Sequence, residues 1–187
     1  MNTEDFWRLV ESARGDGGPF AGALVDRLAA GSKSEILEFQ QRFEELCGAV
    51  YRWDVWAAAY LIGGGCSDDS FMDFRAGLIG LGRDWYERAA LAPDSLAGHP
   101  AVIRGVGSHG DQVVFDELVL YAAARAFERL TGGDGDAFHE AWEQYRASHG
   151  VEEIPDDMGE DFDFDDAEGM RRRLPRLASL HLGEAAG

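Results

Sequence analysis

Cys66, Ser67, Asp68, Asp69, Asp73 and Arg75 stand within ten positions of one another, and this is where chemistry would sit if the chain performs any. Paired carboxylates can bind a divalent cation or carry out acid–base work. A cysteine just before a helix start can be held as a thiolate by the helix dipole. A histidine drawn from His99, His109 or His139 would complete a nucleophile pair with Cys66. The same residue types also have a plainer use. Serine and aspartate cap helix starts, a small thiol packs well in a glycine corner, and an arginine can neutralise a buried acid. The plainer use is the expected one, with no catalytic residue, metal or cofactor. The candidate ligand or partner site then comprises Asp54, Cys66, Ser67, Asp68, Asp69, Asp73, Arg75 and Arg83.

Two helices must position this corner. Ser32 and Glu35 have capping-box spacing, and apolar residues then recur from Ile36 through Phe39, Phe43, Val50 and Ala58 to Leu61 at gaps of three, four and seven. Leu46, Cys47 and Ala57 lie on the same face, Ala57 seven after Val50 and four before Leu61. That period predicts one long helix from Lys33 to about Ile62. Asp54 falls on its apolar face, four after Val50 and four before Ala58. An unpaired buried carboxylate is costly, so Asp54 should have a partner. Gly63-Gly64-Gly65 ends the helix, because glycine adopts left-handed geometry without strain. A second helix is predicted from Ser70 to about Leu81, with Ser70 and Asp73 again at capping-box spacing. Antiparallel packing across the short connection brings Arg75 or Arg83 to Asp54, and Arg75 is the better placed.

The run Trp53-Asp54-x-Trp56-x-Ala58-Ala59-Tyr60-x-Ile62-x-Gly64-Gly65-Cys66-Ser67-Asp68-Asp69-x-Phe71-x-Asp73-Phe74-Arg75 resembles the bacterial domain-of-unknown-function family numbered 4240. So do Gly82-Arg83, Tyr86-Glu87 and Pro93-Asp94-Ser95-Leu96, the early Phe6-Trp7 pair and, less specifically, Leu174-Pro175-Arg176-Leu177. The resemblance implies a fold unit and no particular reaction. One departure is Gly77, where the family leads one to expect a large residue.

The remaining elements read as helices. Thr3–Arg14 buries Phe6, Leu9, Val10 and Ala13, with Thr3 as N-cap; Phe20–Ala30 turns Leu24, Val25 and Leu28 inward. Asp84–Leu91 continues the second central helix past a bend at Gly80 or Gly82, and Pro93–Leu96 is a turn. Phe115–Thr131 aligns Phe115, Leu118, Val119, Ala122, Ala126 and Leu130, and Asp136–His149 carries Phe138, Trp142 and Tyr145. Gly105-Val106-Gly107-Ser108-His109-Gly110 fits a phosphate-loop pattern, but such a loop works only between a strand and a helix, so a flexible loop is expected over this glycine-rich stretch. No alternating strand is evident. The expected fold is all-α, a single compact helical domain of about six to eight helices over residues 1–150. Residues 151–187 follow as an acidic loop and a short docked helix from about Asp166 to Arg173, anchored by Phe162, Phe164, Met170, Leu174 and Leu177. The aromatics Trp53, Trp56, Tyr60, Trp85 and Tyr86 are expected in the core rather than on a binding platform.

Composition narrows the function classes. The net charge is −18, from 17 basic and 35 acidic residues. It divides as 13 against 24 in residues 1–150 and 4 against 11 in residues 151–187. Such a field repels nucleic-acid backbones and anionic membranes and attracts a basic partner. No apolar run is long enough for a membrane span, and the acidic N-terminus is unlike a signal peptide. Two cysteines at no metal-ligand spacing point to free thiols in a cytoplasm. Sixteen of the 17 basic residues are arginine, a codon signature of a GC-rich bacterial genome. The leading expectation is a non-enzymatic protein-interaction module, immunity-like or regulatory, that meets a basic protein. The alternatives are a small hydrolase or metal-dependent enzyme centred on the Cys66–Asp73 corner, and an acidic nucleic-acid mimic. An open pocket holding both Asp68 and Arg75 favours the enzyme; burial of Arg75 against Asp54 favours the scaffold.

Overall fold

The computed structural model describes residues 1–107, 113–151 and 157–183, and among these the chain is helical with no strand. Among the described residues twelve α-helices occur with one 3-10 turn, more than the six to eight expected, because two predicted helices are each divided and two further short helices form. They are α1 (Thr3–Arg14), α2 (Phe20–Ala29), α3 (Lys33–Ala49), α4 (Trp53–Gly63), α5 (Asp68–Gly80), α6 (Arg83–Leu91), the 3-10 turn Pro93–Gly98, α7 (Pro100–Gly105), α8 (Glu117–Leu120), α9 (Ala122–Thr131), α10 (Gly135–His149), α11 (Ala167–Arg173) and α12 (Pro175–His181).

Local signals set many of the ends. Asn2, rather than Thr3, caps α1 by accepting the Asp5 amide at 2.8 Å. Ser32 and Glu35 form the capping box on α3. Gly64, at φ 67°, closes α4 in left-handed geometry. The start of α5 lies earlier than expected: Ser67, not Ser70, is the cap, and its hydroxyl accepts the Ser70 amide.

The largest departure lies between α3 and α4. The predicted single helix stops at Ala49, and Val50, Tyr51 and Arg52 turn the chain before α4 begins at Trp53. Each half keeps its own apolar face, so a shared period of three and four could not reveal the break. Asp54 thereby moves into the first turn of α4, where a carboxylate suits the helix dipole. A second predicted helix also divides. Tyr121 interrupts 115–131 between α8 and α9, and Leu118 and Leu130 face solvent while Val119, Ala122 and Ala126 are buried. Ala101–Arg104, which lead into the glycine pattern, lie within α7, and Gly105 is its last residue; of the flexible loop expected there, Ser108, His109 and Gly110 lie outside the described residues.

One apolar core runs from α1 to α12. Its fully buried members include Phe6, Phe39, Phe71, Phe74, Leu78, Met170 and Leu177. The C-terminal segment enters it through α11, close to the predicted 166–173, and through α12, which was not anticipated. The Asp94 carboxylate holds α12 by accepting the amides of Arg176 at 3.0 Å and Leu177 at 2.9 Å. The Pro93–Leu96 and Leu174–Leu177 runs, 81 positions apart, therefore meet at one helix start. Before α11, Phe164 packs edge-on against Trp53 and Trp56, and the Tyr60 hydroxyl donates to Asp165 at 2.7 Å.

Gly77 has a specific task. A Cβ at this position would lie 1.5 Å from the Val114 carbonyl oxygen. The Val114 backbone is pressed onto α5 at φ 76°, and the next-but-one amide, Asp116, donates to the Asp73 carbonyl at 3.1 Å. The space that a large residue would fill is taken by the 113–116 backbone. Gly77→Ala tests this. Its gain in helix propensity is about 1 kcal/mol, whereas displacing packed backbone costs about 1–3 kcal/mol. The variant should unfold at lower denaturant than the wild type, and an equal or higher midpoint would show that the segment yields freely.

Candidate functional site

The carbonyls in the last turn of any helix lack partners within it. In α3 they are met by side chains from elsewhere. The Tyr86 hydroxyl donates to Leu46 O at 2.7 Å and Arg75 Nη1 to Cys47 O at 3.2 Å. Arg52 Nη1 reaches Ala49 O at 3.5 Å, and its Nη2 donates to Ala90 O at 2.9 Å. The residues after α3 and the first residues of α4 then form the side of a cleft of about 790 Å³, with α5 opposite.

Flat rings wall this cleft. Trp53 stacks on Trp56 at 5.3 Å, Trp56 on Phe71 at 4.8 Å, and Phe71 on Tyr51 at 6.0 Å. The Arg75 guanidinium covers the end of the ladder, 4.6 Å from the Tyr51 ring centre and 5.1 Å from that of Phe71, within cation–π range. Trp56 is held in place by its Nε1–H, which donates to Cys66 O at 3.0 Å. Met158 closes one edge, and its carbonyl accepts the Trp53 amide at 3.1 Å. Trp53 and Trp56, expected in the core, are thus half-buried and line an opening; Trp85 is half-buried away from it, and Tyr86 is buried as expected.

The predicted site residues separate. Asp68 and Arg75 both line the cleft. Asp54 does not pair with Arg75. It takes Arg52 instead, through two contacts of 3.0 and 3.1 Å, and its side chain is 44% exposed. The helix break explains this correction, since it rotates Asp54 off the buried stripe. Arg83 lies elsewhere, bonded to Glu87 and Glu4 at 2.7 Å each. Ser67 is a cap and Asp69 is exposed beside it. Asp73 is half-buried; burial, then the charges of Glu117, Asp69 and Asp116, raise its carboxyl above the usual range. The Cys66 thiol is pushed up to about 12, first by burial and then by Asp73 and Asp68. His99 stacks edge-on against Trp85, His139 is exposed on α10, and His109 lies outside the described residues. Among the described residues no group of three or more His, Cys, Asp or Glu is arranged to hold a metal.

Sequence reasoning missed Glu44, Cys47 and Tyr51 as cleft residues. Nothing in their spacing distinguishes them from core or surface positions of a continuous helix. Burial pushes the Cys47 thiol up to about 12, with Arg75 opposing the shift.

The chain matches the model of a family described as protein of unknown function (DUF4240) over residues 1–129. It belongs to that family, the one its central run resembles. No curated protein and no solved structure matches it. The matched stretch contains the cleft residues from α3, α4, α5 and α8, while Met158, α11 and α12 lie beyond it.

The absence of an Asp54–Arg75 pair sets the expected stability effects. Asp54→Ala removes a half-exposed pair and should cost no more than about 1 kcal/mol. Arg75→Met removes a charged hydrogen bond to a helix-end carbonyl and should cost about 1–3 kcal/mol. The double variant should show the sum within about 0.5 kcal/mol in chemical denaturation, and strong coupling would restore the buried pair. The thiols supply a second check. With both raised to about 12 from the usual 9.0, native Cys47 and Cys66 stay neutral at pH 9, where an unfolded thiol is half ionised. Alkylation by iodoacetamide at pH 9 should run roughly a hundredfold slower in the native than in the denatured chain. The sign for stability follows: what the neutral Cys47 thiol contributes is present below pH 9 and is lost as pH rises toward 12.

Proposed function

We propose that this chain is a non-enzymatic recognition module, cytoplasmic and bacterial, whose working site is the cleft between α3, α4 and α5. The observation that carries the reading is the combination in one open cleft of an aromatic wall and a charged Arg75 that, among the described residues, forms no ion pair. The surrounding charge of −18 supports a partner with a basic surface docking around the cleft, in an immunity-like or regulatory role. The cleft also holds Asp68 and Arg75 together, which is what an enzyme at this corner would require. Binding is the better-supported use. Among the described residues no histidine lines the cleft, and the one thiol in it, Cys47, is held neutral. No imidazole is placed to take its proton, as a cysteine–histidine pair would require.

Fragment binding separates the two. In an NMR screen of the labelled chain, small aromatic fragments should shift the Trp53 and Trp56 indole signals, compete with one another and be recovered unchanged after long incubation. A fragment that is chemically converted, with conversion lost in Asp68→Asn, would put the enzyme ahead. Binders scattered away from the two indoles would remove the cleft as the working site.

A further inference from the structure

We infer that the ligand of this cleft carries a single carboxylate on a flat or apolar body, and that Arg75 reads the carboxylate. The inference rests on the recognition reading above and adds the chemistry of what is recognised.

Of the fifteen other arginines, ten hold an acid within 4.0 Å: Arg8, Arg14, Arg27, Arg42, Arg52, Arg83, Arg129, Arg146, Arg172 and Arg173. Among the described residues Arg88, Arg104, Arg125, Arg171 and Arg176 show no ion pair either, but four of them are exposed and Arg171 lies on α11 at the surface, bonded to the Ala167 and Gly183 carbonyls. Among the described residues Arg75 has no such partner, although burial weakens its hold on its proton relative to an exposed arginine. In a chain with twice as many acids as bases, a half-buried arginine without an acid is the position a ligand acid would fill. The guanidinium is also preorganised. Its Nη1 is tied to Cys47 O, and its plane is held over Tyr51 and Phe71. Little side-chain entropy is left to lose on binding, and a planar fork meets a carboxylate with paired hydrogen bonds.

The surroundings define the rest of the ligand. Phe43, Trp56, Phe71, Met72 and Leu120 supply apolar lining, with Met72 43% exposed at the rim. Asp68 lies seven residues before Arg75 on the same helix, about 10 Å along its axis at 1.5 Å per residue. A carboxylate in contact with Arg75, roughly 4 Å from its charge, feels an attraction about twice or more the repulsion from Asp68, because Coulomb energy falls with distance. Glu44, one turn before Cys47 on α3, adds to the acidic side of the cleft. A second negative charge on the ligand would meet these acids, which selects a monoanion.

Three probes with one body decide the matter: 3-phenylpropanoate, 3-phenylpropanol and 3-phenylpropylamine, titrated into the full chain and followed through the Trp53 and Trp56 indole shifts. The acid should bind about tenfold or more tighter than the alcohol, as a charge-assisted pair requires. Arg75→Met should abolish that preference while leaving alcohol binding within about twofold, because the apolar contacts remain. Arg75→Lys keeps a charge without the fork and should retain part of the preference, which guards against a folding defect in the methionine variant. Asp68→Asn should tighten the acid and leave the alcohol unchanged. If the amine binds best, or all three bind equally, the carboxylate assignment is overturned while the recognition reading stands. If none binds at the indoles at 10 mM, a ceiling corresponding to a binding free energy weaker than about −3 kcal/mol, both fall.

Discussion

The last turn of α3 has to be satisfied from outside, and that constraint organises the middle of the molecule. Its carbonyls draw Tyr86 from α6, Arg75 from α5 and Arg52 from the turn before α4. Three elements are thereby tied to one helix end by hydrogen bonds that have no substitute inside α3. Each donor is also anchored at a second point. Tyr86 tilts against Trp7 at 5.3 Å, Arg52 pairs with Asp54 and bonds Ala90 O, and Arg75 lies on two rings. The cleft exists because α3 stops here rather than running on into α4.

The same junction explains why Arg75 has two faces. One edge is a structural cap for α3. The ring faces beneath it hold the guanidinium against the aromatic ladder, so the cap is also a fixed positive charge beside an opening. A charged group that is desolvated in the native state without an acid is expensive to keep. Here part of that cost is offset by the Cys47 carbonyl and by the two π-systems. The remaining donor capacity is what the proposed ligand would use.

The C-terminal segment completes the structure by three separate contacts. Asp94 caps α12, Phe164 sits against the Trp53–Trp56 pair, and the Met158 carbonyl receives the first amide of α4. Burial of Met170, Leu174 and Leu177 makes this segment part of the core. On α5, Gly77 allows the backbone at Val114 to approach where a larger residue would stand, so a second distant segment is built into the cleft's supporting helix.

Short-range signals were legible in the residues alone. The Ser32–Glu35 box, the glycine close at Gly64, the all-helical period and the helix at 167–173 depend on neighbours within a turn or two, and those rules act on sequence directly. The family follows from the long run around Trp53–Arg75. The break at Val50–Arg52 was not legible, because both halves keep apolar gaps of three and four and only the outside partners of the α3 carbonyls make stopping favourable. With that break hidden, Asp54 read as buried and Arg75 as its partner. Tertiary packing decided otherwise: it gave Asp54 to Arg52, brought Asp94 to Arg176 of α12 across 82 positions, and left Arg75 facing a cleft whose other walls come from α3, α4 and Met158. Contacts between residues so far apart in the chain leave no period for sequence to carry, so the site belongs to the fold while its helices belong to the sequence.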